Sequence, residues 1–328
     1  MKVVAIGGGT GLSSVLRGLK HHVAEPARPA QVRPEISRLT AVVTVTDEGG
    51  SSGRLRRDFR ILPPGDIRNC MVALAEDEQL LTQLFNYRFS SGHGLRGHNL
   101  GNLFLTALTH LTHDFAKAVR LSSEVLAIRG EIFPATLSDV HLKATRTDGT
   151  AVQGERSITR TRVPIRRLQI IPSRCRPLPE TLDAIRQADL ITLGPGSVYT
   201  SLVPNLLVQG ISREIARSSA VKVLVCNLMT QPGESRGYSA ADHVRALHLH
   251  AGRKLFDYIV LNTRPLSDAL LKRYAAERAE PVALDLEAVR RLDVKPLCAN
   301  LLIEDRVARH DSHRLAQLLL ALAKPRAR

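Results

Sequence analysis

Tryptophan is absent from this 328-residue chain, and phenylalanine and tyrosine together make up only 4% of it. With so few rings, recognition of nucleic acid by base stacking has little to work with. Cysteine is scarce as well: Cys70, Cys175, Cys226 and Cys298 stand far apart, without the CxxC or Cys/His spacing of a zinc site or disulfide framework. They read as reduced core residues. The 12 histidines are isolated, or occur as His21-His22 and His248-x-His250, and form no ligand constellation. Long apolar runs are missing too. None approaches the roughly 20 residues a membrane helix requires, and Met1-Lys2 leads straight into Val3-Val4-Ala5-Ile6 without a cleavable signal pattern. The chain reads as cytoplasmic.

What the chain has in quantity is apolar content, at 44%, and positive charge, at a net +15. The first is ample for a packed core. The second favours partners that carry phosphate without saying which. Arginine is densest at Arg156, Arg160, Arg162, Arg166, Arg167, Arg174 and Arg176, a stretch that reads either as a solvated strand face or as an anion patch.

Along the chain, short apolar runs alternate with helical periodicity. Val3 to Ile6 reads as a buried strand, and Leu12, Val15, Leu16 and Leu19 follow at i, i+3, i+4, i+7. The prolines at 26, 29 and 34 place a loop before a strand over residues 39–45. Further strands are expected at 190–193, 221–226, 258–261 and 299–303. Helices are expected over 100–111, 182–188, 206–217, 240–250, 267–277 and from Asp311. This alternation predicts an α/β fold, a mostly parallel sheet with helices on both faces. Residues 132–171 break the pattern with an antiparallel arrangement around the turn Thr147-Asp148-Gly149-Thr150. The expectation is one α/β domain over 1–328 with a β-rich insertion at about 131–172, and a short basic tail at 324–328.

The polar, glycine-bearing segments fall after the strands. Gly7-Gly8-Gly9-Thr10-Gly11 joins the first strand to the first helix, where bare backbone N–H groups and a positive helix end suit a phosphate. After the second strand, Asp47 is suited to a metal, a sugar hydroxyl or a proton, and Gly49, Gly50, Ser51 and Ser52 to an anion-accepting loop. In Pro63-Pro64-Gly65-Asp66-Ile67-Arg68-Asn69, Asp66 fits either a helix cap or a site carboxylate, and Arg68 and Asn69 supply donors. Gly97-His98-Asn99-Leu100-Gly101-Asn102 opens a strong helix; Gly194 to Ser201 and Cys226 to Glu234 follow two later strands. Together these loops would line one edge of one sheet.

Taken in order, the motifs Gly7-Gly-Gly-Thr-Gly, Asp47-x-Gly-Gly-Ser-Ser-Gly, Pro63-Pro-Gly-Asp-Ile-Arg-Asn, Gly97-His-Asn-Leu-Gly-Asn, Gly194-Pro-Gly-Ser-x-Tyr-Thr-Ser and Thr230-Gln-Pro-Gly-Glu resemble the gluconeogenesis factor (YvcK-type) family, from residue 2 to about residue 323. The resemblance implies a Rossmann-like fold and a cytoplasmic, nucleotide-binding protein. Its ligand would be a UDP-sugar such as UDP-N-acetylglucosamine, and its role would lie in growth on gluconeogenic carbon, cell shape and wall synthesis. A related branch, phospholactate transferase, moves a phospholactyl group from a nucleoside diphosphate carrier with magnesium. On that pattern Gly8, Gly9 and Thr10 would meet the diphosphate. Asp47 and Asp66 would hold a metal in the transferase case. Ser51, Ser52, Asn69, Asn99, Asn102, Gly196, Ser197 and Asn227 would be ligand contacts. Arg309 would reach a diphosphate or flank the helix cap Asp311, and Glu48 stands where Asp is more usual. A non-catalytic binding protein is the first expectation and a transferase the alternative; a homodimer is expected by analogy with similar folds.

Overall fold

The computed structural model describes residues 1–24, 35–76 and 80–323. The proline-rich loop expected before the second strand and the basic tail therefore lie largely or wholly outside the described residues. Strands are numbered in chain order: β1 (Lys2–Gly7), β2 (Arg38–Val43), β3 (Glu131–Pro134), β4 (His141–Arg146), β5 (Ala151–Gln153), β6 (Ile165–Ile171), β7 (Leu190–Leu193), β8 (Val221–Val225), β9 (Tyr258–Asn262), β10 (Lys295–Ala299), β11 (Leu302–Glu304) and β12 (Ala308–His310). Seven of them form a sheet in the order β10-β9-β8-β7-β1-β2-β3, parallel at every step.

The apolar runs become central strands because both faces of this sheet are covered. Val3, Ala5, Ile6, Val223, Val225, Ile259 and Val260 have no exposed surface at all. In the helix Gly9–Leu19, Leu12, Val15, Leu16 and Leu19 are likewise fully buried, as their spacing predicts. From β1 the chain steps outward to β2 and β3 on one side, then returns to build β7, β8, β9 and β10 on the other. Right-handed crossovers in two opposite directions place helices on opposite faces and open a crevice where the direction reverses, beyond the carboxyl ends of β1 and β7.

The insertion is a three-stranded antiparallel sheet, β5-β4-β6, with the hairpin at the expected turn. There Gly149 has φ +85 and the Thr150 amide donates to the Asp148 carboxylate at 2.9 Å. Its onset differs from the sequence expectation: β3 pairs in parallel with β2 and closes one edge of the main sheet, so antiparallel pairing starts at His141. Two further boundaries differ. The helix expected over 206–217 is split into Val203–Leu207 and Ile211–Arg217: Val208 turns extended at ψ 132 and ends the first, and Gly210, at φ +90, precedes the second. The strand expected at 299–303 spans the turn between β10 and β11.

The helix Gly9–Leu19 lies against the last helix, Ser312–Ala323, with Gly18 at the crossing. A Cβ at Gly18 would overlap the Ser312 carbonyl oxygen and sit 3.0 Å from the Ala316 Cβ. Gly18→Ala is therefore expected to lower the melting temperature by several degrees, since overpacking costs about 1–3 kcal/mol; thermal denaturation of the two proteins under one condition measures it, and an unchanged or higher value would contradict this account of the packing.

Candidate functional site

Three helices begin at the crevice without a side-chain cap: Gly9–Leu19, Gly50–Phe59 and Gly65–Leu74. Their first backbone N–H groups have no partner within the helix, and each helix end carries partial positive charge. Two carboxylates stand among them. Asp66, in the first turn of its helix, accepts the amide of Gly9 instead of capping its own helix. Asp47 follows β2, and its Oδ1 accepts the Gly49 amide at 2.7 Å.

The glycines here are steric requirements. A Cβ at Gly8 would lie 2.6 Å from the Thr44 Cγ2 and 2.7 Å from the Asp66 Oδ2. At Gly65 it would overlap the Asp47 Oδ2, and at Gly11 the carbonyl oxygen of Pro195. Gly9 has φ +61, in the left-handed region. The loops after β1 and β7 thus approach backbone to backbone, and Gly8 and Gly9 line the floor with Asp66, while Thr10 is exposed above it.

Several polar residues singled out by their spacing brace these loops. Ser51 Oγ lies 3.1 Å from His98 Nδ1 and accepts the Asn99 amide at 3.3 Å. Asn99 caps the helix Leu100–Thr112 by accepting the Asn102 amide, and Asn102 Nδ2 donates to Ser52 Oγ at 3.3 Å. The buried Asn102 Oδ1 has no partner. Asn69 Oδ1 accepts from Arg68 Nη2 at 2.6 Å. Asn227 exchanges two 2.9 Å hydrogen bonds with the backbone of Gly196, and Ser197 Oγ accepts from Gln231 Nε2 at 2.8 Å. Arg309 is exposed on the β11–β12 hairpin. Its neighbour His310 ties that hairpin to the Cys226 backbone at the end of β8. Asp311 caps the last helix, accepting the amides of His313 and Arg314 at 3.1 Å.

Two acidic residues join the site without having been assigned a role from sequence. Glu234 is buried under the loop after β7. Its Oε2 accepts the amides of Tyr199 and Thr200 at 2.8 and 3.1 Å, and its Oε1 the Thr200 hydroxyl at 2.7 Å. Glu155, in the insertion, accepts the Glu48 amide at 2.7 Å. A positive-φ glycine directly before it, Gly154 at φ +87, is the one local sign of a special position. Glu155 lies in the span expected to hold antiparallel strands; it starts the short helix Glu155–Thr159 instead.

Electrostatically the carboxylates crowd one another. Burial, and then the charge of Asp47, push Asp66 up to about 7. Burial, and then Asp47, likewise push Glu155 up to about 8, while the Glu48 amide pulls the other way. Burial raises Glu234 against the pull of Thr200 and the two amides. Arg68, beside Asp47 and Asp66, is lowered by burial and by Arg88.

Because the Asp66 carboxyl is raised on folding, the folded protein binds its proton more tightly than the unfolded chain. That contribution to stability is complete below the unfolded value near 4 and is lost as pH rises through about 7. Asp66→Asn keeps an oxygen for the Gly9 amide and removes the charge. Its melting temperature should exceed that of the parent protein by a margin that grows from pH 5 to pH 8. A margin independent of pH, or a loss at pH 8, would contradict the assignment.

With this geometry in place, comparison with known proteins places the chain. Residues 3–302 match the family model described as 2-phospho-L-lactate transferase CofD. The chain is similar to the gluconeogenesis factor of Bacillus subtilis, at 46% identity over 98% of both chains. It is also similar to the gluconeogenesis factor of Listeria innocua, at 41% identity over 98% of this chain and 95% of that one. An X-ray structure of a protein from Bacillus halodurans superposes with a TM-score of 0.91 at 46% identity, covering 97% of this chain and 99% of that one. The three uncapped helix starts, the paired aspartates and the Rossmann-like sheet thus occur in a chain that belongs to the CofD family and, within it, to the group whose members are named gluconeogenesis factor.

Proposed function

We propose that the protein binds a nucleoside diphosphate sugar of the UDP-N-acetylglucosamine type at the β1/β7 crevice and acts as a cytoplasmic, non-catalytic regulator of carbon metabolism, cell shape and wall synthesis. The observation that carries this reading is the convergence of three uncapped helix N-termini on one crevice at the point where strand order reverses. Such a place offers unpaired amides and positive helix ends to a diphosphate. The amides of Thr10 and Gly11, beyond the Gly9 amide that Asp66 accepts, would take the phosphate oxygens. Asp47 or Asp66 would accept sugar or ribose hydroxyls. The choice of sugar and base rests on the resemblance of the ordered motifs to the gluconeogenesis factor family alone. No helix among the described residues is long and apolar enough to cross a membrane, in keeping with a ligand met in solution.

The paired aspartates also support a second reading, a transferase that moves a phospholactyl-type group from a nucleoside diphosphate carrier. Two mutually repelling carboxylates beside an anion site fit magnesium, which takes one or two carboxylates and completes its shell with water and phosphate. Asp47 and Asp66 would hold it, and when bound it would neutralise charge on the leaving diphosphate. The chain's own residues would orient the diphosphate through the helix-start amides.

Calorimetry with UDP-N-acetylglucosamine and with GDP, each with and without magnesium, separates the two readings. Binding of the UDP-sugar without magnesium is expected. GDP binding that requires magnesium and disappears in Asp47→Asn would favour the transferase instead. Gly8→Val, whose Cβ would meet Thr44 and Asp66, is expected to weaken binding at least tenfold, about 1.4 kcal/mol. Unchanged affinity in that variant would remove the crevice from consideration.

A further inference from the structure

The β-rich insertion touches the loops after three strands of the main sheet. Glu155 Oε2 accepts the Glu48 amide, and the Glu155 amide in turn donates to Glu48 Oε2 at 3.1 Å. A Cβ at Gly233, after β8, would overlap the carbonyl oxygen of Thr159. The Tyr199 hydroxyl, after β7, donates to the carbonyl of Ile165 at 3.2 Å. Segment 154–165 is therefore fastened over the crevice.

The Glu48 side of the exchange is itself held firmly. Arg56 Nη2 bonds the Val140 carbonyl at 2.6 Å, the Asp139 carboxylate and His141 Nε2 at 3.1 Å. His141 Nδ1 lies 3.0 Å from Glu48 Oε1, a carboxylate oxygen that accepts, so Nδ1 carries the hydrogen between them. Both Glu48 oxygens are thus engaged. A Cβ at Gly154 would sit 2.6 Å from Glu48 Oε2, and Gly154 has φ +87, so a side chain here would both strain the backbone and push on the Glu48 carboxylate. The amide that Glu155 accepts belongs to the peptide bond joining Asp47 to Glu48. On the far side of that peptide, Asp47 Oδ1 accepts the Gly49 amide. The Glu155 carboxylate lies within electrostatic reach of Asp47, Asp66 and Glu234, which places it on the crevice side of the insertion.

We propose that Glu155 is a positioning residue of the nucleotide site: by gripping the Asp47–Glu48 peptide it fixes where the Asp47 carboxylate stands, so that the insertion as well as the sheet sets the ligand geometry. This rests on the reading of the crevice as a nucleoside diphosphate sugar site. Glu155 acts through Asp47. Its oxygen serves as an acceptor, a role that an amide oxygen also fills.

The test combines UDP-N-acetylglucosamine calorimetry with hydrogen exchange at the Glu48 amide in the full-length chain. Glu155→Ala is expected to weaken binding about tenfold and to speed exchange at Glu48. Glu155→Gln should restore both to within about threefold of the parent. Glu155→Asp keeps the carboxyl group but withdraws the oxygen by one methylene, and it should follow Ala, which covers the case in which the alanine variant fails to fold. In an Asp47→Asn background Glu155→Ala should add little, because two residues acting through one contact are not additive. The proposal is overturned if Gln behaves as Ala does, if the two substitutions add in full, or if exchange at Glu48 is unaltered in the Ala and Asp variants. Failure of the parent protein to bind the UDP-sugar would instead sink the functional reading, and the exchange measurement alone would then decide the grip.

Discussion

Two aspartates held close together in a buried crevice are the constraint to which the surrounding structure answers. Burial, and then the charge of Asp47 beside it, raise the cost of ionising Asp66, which is why Asp66 rises to about 7. Uncapped helix starts at Gly9, Gly50 and Gly65 offset part of that cost. A Ser, Thr or Asn at those N-caps would satisfy the amides internally and favour the isolated helix. Glycine and proline stand there instead, and the amides remain for something else. Local helix stability is given up in exchange for a place that holds charge.

The same constraint explains why the loops are so rigidly wired. Asn227 spends its whole amide group on Gly196, Asn205 bonds the carbonyls of Gly7 and Ser201, and Glu234 gathers two amides and a hydroxyl beneath the loop after β7. Each of these side chains has the chemistry of a ligand contact, yet its hydrogen bonds go to the protein. On the proposed reading, recognition would fall to main-chain amides and to the aspartates, whose positions depend on that bracing. A 1 Å error in such a loop would misalign the amides, so this buried polar wiring is what preorganises the crevice, even though the side-chain oxygens of Asn102, Asn205 and Gln231 find no partner in it.

Most of the sheet was legible in the sequence for a direct reason. Strands covered on both faces must be apolar throughout, so Val3 to Ile6, Leu190 to Leu193 and Val221 to Val225 advertise themselves. The glycine loops were legible because close backbone approach leaves a compositional mark. Where boundaries slipped, periodicity had no access to the deciding feature. Hydrophobic spacing runs straight through residues 208–210, while the extended backbone of Val208 ends one helix and the left-handed Gly210 precedes the next. β3 looks like part of the insertion because its place beside β2 is a long-range pairing. Glu155 is the extreme case. Its partner Glu48 is 107 residues away in the chain, and its own neighbours are arginines that suggest a solvated face. Arg156, Arg160, Arg162, Arg166 and Arg167 are indeed exposed, and nothing about them marks the one acid that turns inward.

The charge balance then separates the two functional readings on physical grounds. A chain of net +15 favours a diphosphate at a distance, but on the proposed reading a ligand in the crevice would meet Asp47 and Asp66, with Glu155 and Glu234 close behind them. Something must neutralise part of that cluster before a dianion settles beside it. A proton is one means, and Asp66 near 7 and Glu155 near 8 hold theirs close to neutrality. A divalent cation is the other, and it would displace those protons and draw the aspartates into its own shell. A binding protein needs only the first. A transferase requires the second, because a proton shared among buried carboxylates does little for the charge that builds on a departing diphosphate. The two readings thus differ less in the residues they use than in what sits between Asp47 and Asp66 when the ligand arrives.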